Sequence, residues 1–130
     1  MGRIDNEDLA EHQLAADFWY YPTAYHETFC ISALEALAAG CICVTSNLAA
    51  LKDIIGDRGV LLEEKIHSEY YFKEATDKIV KISRNEDIKE QIRVKGIEWA
   101  MKQSWPARAI EWLQLIGYKN DNHFDTNMCI

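Results

Sequence analysis

The chain has 130 residues, 48% of them hydrophobic and 27% charged, with a formal net charge of −7. That composition belongs to an ordered globular protein, one domain or part of a larger one, and excludes a disordered chain. The acidic balance excludes a nucleic-acid backbone binder, which needs a basic face, and no window approaches the roughly 18 apolar residues of a transmembrane span. The opening MGRIDN lacks the apolar core of a signal peptide, and neither Asn6 nor Cys129 suits a lipidation signal.

DNEDLAEHQLAA (residues 5–16) begins with cap-type and acidic residues and spaces Leu9 and Leu14 as a helix does. DFWYYP is a short aromatic run stopped by Pro22, which suits a strand, and TAYHE is a loop. A helix is predicted over about residues 28–39, with Gly40 placed to end it. CICVTS is apolar on both faces, as a buried parallel strand is. NLAALKDII predicts a short helix, GDRG a turn and VLLE a third strand. Beyond Glu64 three amphipathic helices are predicted over residues 68–82, 86–102 and 105–116, followed by the polar tail YKNDNHFDTNMCI.

The rhythm predicts an α/β domain with a small parallel sheet flanked by helices and a helical C-terminal extension. Residues 1–117 form the domain and 118–130 a frayed tail. No strand precedes the first helix, so the chain reads as the second half of a Rossmann-like lobe. Cys41 and Cys43 alternate on one strand and share a face, without a metal-ligand spacing near them. Buried, reduced thiols are the reading, and with them a cytoplasmic setting.

The informative stretch is YHETFCISALEALAAG, residues 25–40. Glu27 stands at the entrance of an apolar helix and Glu35 lies two turns inside it, on a stripe with Thr28, Ser32 and Ala39. Glutamate among so many apolar residues calls for a partner. With Thr28 as cap, the first turn presents the N–H groups of Phe29, Cys30 and Ile31, a place suited to phosphate. At 1.5 Å per residue the two acids stand on the order of 12 Å apart, about the span between a sugar and a ribose joined by a diphosphate. A carboxylate accepts hydrogen bonds from two neighbouring hydroxyls. A stripe merely facing water is the competing reading. His26 reads as a solvated loop residue, Trp19, Tyr20 and Tyr21 as sheet packing, and Trp99, Trp105 and Trp112 as anchors of the terminal helices. Lys65, Lys73, Lys78 and Lys81 read as a solvated face.

Glu27 and Glu35 match the E-x7-E motif of retaining glycosyltransferases with two Rossmann-like lobes, the GT-B fold, and the chain most resembles glycosyltransferase family 4. ADFWYYPTAYHETFCISALEALAAGCICVTSNLAALKDIIGDRGVLL resembles that family's nucleotide-sugar-binding segment, GRIDNEDLAEH the piece before it and SWPARAIEWLQLI the closing helix. The resemblance implies a donor-binding domain that transfers sugar from a UDP- or GDP-sugar with retention, using no metal or other cofactor. It makes Glu27 the candidate catalytic residue, at the sugar hydroxyls, and Glu35 the contact to the ribose. Thr28, Phe29, Cys30 and Ile31 complete the implied donor site. Thr28 and Cys30 stand where the family often has glycine, and Ala49–Ala50 where it has Gly-Gly. The basic diphosphate clamp and the N-terminal acceptor lobe lie upstream in the family, so the chain alone is expected to be inactive. A non-catalytic module that binds nucleotide sugar or a partner chain is the alternative.

Overall fold

The computed structural model describes residues 4–118, in the order α1 (Asn6–Leu14), β1 (Phe18–Tyr21), α2 (Ile31–Ala38), β2 (Ile42–Ser46), α3 (Leu51–Ile55), β3 (Val60–Leu62), α4 (Glu69–Ser83), α5 (Glu86–Ala100) and α6 (Trp105–Leu115). The predicted tail, apart from Tyr118, and Cys129 lie outside the described residues. One compact unit ends at Ala100 and a second begins at Met101.

In the first unit the strands form a parallel sheet in the order β1-β2-β3, with Trp19 opposite Cys43 and Val44 opposite Val60. This is the small parallel α/β sheet that the alternation of elements predicts, consistent with a Rossmann-like fold. Strand β2 is buried along its whole length, which is why CICVT needs no polar face. Its alternation divides the core. Cys41 and Cys43 pack with Leu37, Leu51, Ile54 and Ile55 on one face. Ile42 and Val44 pack with Val60, Leu62, Tyr71 and Ile82 on the other. The shared face expected for Cys41 and Cys43 is therefore present, and Cys30, Cys41 and Cys43 are buried free thiols.

Most helix starts carry a side-chain cap. Asp5 accepts from the Asp8 N–H at 2.9 Å, Ser68 from Tyr71 at 3.0 Å and Asn85 from Ile88 at 3.1 Å, each removing one orphan donor. Helix α2 ends in a Schellman arrangement: Gly40, at φ 84°, donates to Leu37 O and Cys41 donates to Ala36 O.

Helix α5 crosses the amino ends of the strands. Lys89 pairs with Asp17 ahead of β1 at 2.8 Å, and Lys95 with Asp57 ahead of β3 at 2.7 Å. The Arg58 guanidinium lies 4.5 Å from the Trp99 ring centre. The carboxyl ends of the strands, where α/β sheets bind ligands, are left to the loops.

Two packing expectations change. Lys78 is not merely solvated: its ammonium donates to Leu61 O at 2.9 Å and to Glu74 at 2.6 Å, tying α4 to β3. Of the three tryptophans expected to anchor the terminal helices, Trp99 packs against the first core, whereas Trp105 and Trp112 are exposed on α6. Among the described residues no helix is long and apolar enough to cross a membrane.

Burial pushes the thiols of Cys30, Cys41 and Cys43 above their ordinary range. Above about pH 8.5 these thiols ionise more readily in the unfolded chain than in the folded one. The unfolded state then binds fewer protons, so stability falls as pH rises. The urea midpoint is expected to be lower at pH 10 than at pH 7; an unchanged midpoint would show that the thiols reach water.

Candidate functional site

The site grows from the loop between β1 and α2. Pro22 ends the strand, and long-range hydrogen bonds then hold the loop over the carboxyl ends of the sheet. Thr23 N–H donates to the hydroxyl of Ser46, the last residue of β2, at 3.2 Å. Tyr25 N–H donates to Thr23 Oγ1 at 3.0 Å. Glu27 is fixed at both backbone groups: its N–H donates to Tyr25 O at 3.1 Å, and its carbonyl accepts the Ala50 N–H at 3.3 Å. Ala50 is the N-cap of α3, so this bond joins two loops at the same end of the sheet. Ala49 beside it holds φ 47°, in the left-handed region that favours glycine.

Helix α2 begins later than predicted. Its first helical residue is Ile31 and its N-cap is Cys30, which makes no side-chain capping hydrogen bond. Thr28 is an exposed loop residue two positions upstream and does not cap the helix. Cap propensity favours Thr over Cys, but with the Glu27–Ala50 and Thr23–Ser46 bonds in place the chain stays out of helix until Ile31. The open amides of the first turn are therefore those of Ile31, Ser32 and Ala33, rather than Phe29, Cys30 and Ile31.

Cys30 is buried directly beneath this helix start. Burial raises its pKa most; the Ala33 and Ser32 amides pull the other way, while the carboxylates of Glu27 and Glu35 add to the rise. The thiol is thus held neutral, not activated as a nucleophile. Glu27 stands in the loop ahead of α2, whereas Glu35 lies one turn inside the helix.

Glu27 is half-buried, and its Oε1 accepts a hydrogen bond from the Tyr21 phenol at 3.2 Å. Glu35 is exposed on α2. It lines a cleft of about 360 Å³ whose other wall is α1, with Asn6, Leu9 and Gln13 across from Glu35, Ala38 and Ala39. Phe29 and Ile31 are 46% and 57% exposed and form an apolar rim at the helix start. His26 is exposed in the loop. Because only residues 31–35 of this span are helical, the separation of the two acids is not the helical rise assumed from the sequence.

Sequence reasoning missed Tyr21, taken there as sheet packing, and the amides of Ser32 and Ala33. Tyr21 shares the face of Trp19 on β1, with ring centres 5.0 Å apart. Its place as the last strand residue before Pro22 is the one local signal that its phenol reaches the strand's carboxyl end.

Residues 1–99 match the family described as glycosyl transferases group 1, and the chain belongs to that family. It is similar to the O-antigen chain mannosyltransferase B of Escherichia coli, with 35% identity over 63 residues. That stretch is 48% of this chain and 16% of the relative, so the match spans under a fifth of that protein's length.

Proposed function

We propose that this chain supplies the donor-binding surface of a retaining glycosyltransferase of family 4 type, acting on a UDP- or GDP-sugar. Membership of the group 1 family supports glycosyl transfer. The observation that supports the finer reading is Glu27, held by the Tyr21 phenol and the Ala50 N–H at the carboxyl end of the sheet, just ahead of the uncapped start of α2, the helix that carries Glu35 one turn further in.

In this reading Glu27 accepts hydrogen bonds from hydroxyls of the transferred sugar. The Ile31, Ser32 and Ala33 amides meet the diphosphate, where the helix dipole also favours negative charge. Glu35 accepts from the ribose hydroxyls, and Thr28, Phe29 and Cys30 shape the approach. As the sugar–phosphate bond lengthens, charge gathers on the departing diphosphate, and fixed N–H donors stabilise that charge without reorganising. No metal or other cofactor enters this scheme. Turnover requires an acceptor lobe beyond these residues, and the setting is the cytoplasm.

Calorimetric titration of the chain with GDP-mannose, GDP, UDP-glucose and UDP tests the reading. One pair binds, and Glu35→Ala weakens both its sugar nucleotide and its bare nucleotide about tenfold, as loss of hydrogen bonds to a charged group predicts. Unchanged affinity in Glu35→Ala would remove the ribose role.

A further inference from the structure

We propose that Tyr21 is a positioning residue for Glu27, fixing which carboxylate oxygen meets the sugar of the donor. The inference rests on the donor-site reading above and extends it to a side chain outside the two-glutamate motif.

A glutamate in a loop has three rotatable side-chain bonds, and ordering it for a substrate costs conformational entropy. Here the cost is met before any ligand arrives. The Tyr21 phenol donates to Oε1 of Glu27 at 3.2 Å, leaving Oε2 and the remaining lone pair of Oε1 for substrate hydroxyls. The phenol itself is well anchored. Tyr21 is the last residue of β1, its carbonyl accepts the Thr45 hydroxyl at 2.7 Å, and its ring lies 5.0 Å from that of Trp19 while packing on the first core. The Glu27 backbone is held independently by Tyr25 and Ala50. Strand and loop thus clamp one carboxylate from two directions.

The phenol touches the sugar-facing acid and not the amides or Glu35. Its loss should therefore be felt by the sugar and not by the nucleotide. A residue that merely packs the strand would affect both.

The test uses the full chain and calorimetry with GDP-mannose against GDP and UDP-glucose against UDP, for wild type, Tyr21→Phe, Glu27→Ala and the double variant. Thermal unfolding of each confirms that it folds. In Tyr21→Phe the sugar nucleotide is expected to bind three- to tenfold more weakly, of the order of one lost hydrogen bond, with the bare nucleotide unchanged. In the Glu27→Ala background the same change should have no further effect, because its partner is gone. Equal weakening of sugar nucleotide and nucleotide overturns the proposal, as does wild-type affinity in Tyr21→Phe or an additive double variant. A folded wild-type chain that binds neither pair overturns the donor-site reading first and this inference with it, an outcome distinct from the other three.

Discussion

Replacing Glu27 with alanine is expected to weaken binding of the sugar nucleotide by about 10- to 100-fold while leaving the bare nucleoside diphosphate unchanged. Hydrogen bonds to a charged group contribute about 1.5–3 kcal/mol, and a carboxylate meets neighbouring sugar hydroxyls with both oxygens. The variant should fold. Glu27 contributes its carbonyl to Ala50 and its N–H to Tyr25, and alanine retains both. Only the Tyr21 phenol loses a partner, and it lies at a half-buried strand end where water can replace the carboxylate. Glu27→Gln is the finer probe, since the amide keeps the shape and one acceptor but loses the charge. Its affinity should fall between wild type and alanine. The contrast with Glu35→Ala, which weakens both ligands, separates a sugar contact from a ribose contact. Equal effects of Glu27→Ala on both ligands would move Glu27 away from the sugar.

The largest stability effect is expected at Tyr71. This side chain is 0% exposed and fills the second core, against Val44, Leu62 and Ala75. Its ring meets Phe72 edge-on, with centres 5.9 Å apart, and its hydroxyl pairs with Ser46 at 2.8 Å. Tyr71→Ala removes an aromatic ring from a close-packed site and should cost about 3–5 kcal/mol, a large part of the roughly 5–15 kcal/mol typical of a domain. Tyr71→Phe keeps the ring and loses one buried hydrogen bond, about 1 kcal/mol. Urea unfolding of the two variants checks both values. A loss below 1 kcal/mol in Tyr71→Ala would show that the second core is not built around this ring. The hydroxyl also links the cores to the site. The Ser46 hydroxyl accepts from the loop amide of Thr23 and is also paired with the Tyr71 hydroxyl, so Tyr71→Phe should loosen the Glu27 loop and raise amide exchange at residues 23–27.

Much of this fold is written in local pattern. The β-branched and cysteine-rich CICVT run suits burial on both faces, and the structure places it as the central strand. Gly40 ends α2 because the chain must turn left-handed there, and glycine does so without strain. Ser68 and Ser104 start helices where hydroxyl caps predict starts. What was not legible depends on partners distant in sequence. Thr28 is the better cap by propensity, yet Cys30 takes the position, because bonds to Ser46 and from Ala50 hold the loop out of helix. Lys78 looks like one lysine of a charged face until the β3 carbonyl of Leu61 is seen beside it. For the site, the spacing of Glu27 and Glu35 was visible in the sequence. That the Tyr21 phenol holds Glu27, and that Cys30 rather than Thr28 opens the helix, required the packed structure.

The central claim is that the start of α2 and its two acids receive a nucleoside diphosphate sugar. The most direct measurement is a titration of the isotope-labelled chain with GDP-mannose and UDP-glucose, followed through backbone amide shifts. The account predicts saturable shifts at Ile31, Ser32 and Ala33, reaching Glu35 and Glu27, for one nucleotide series, with the shifts near Glu35 lost in Glu35→Ala. A dispersed, folded spectrum in which these amides stay still at millimolar ligand, or in which the shifts gather elsewhere, would contradict it.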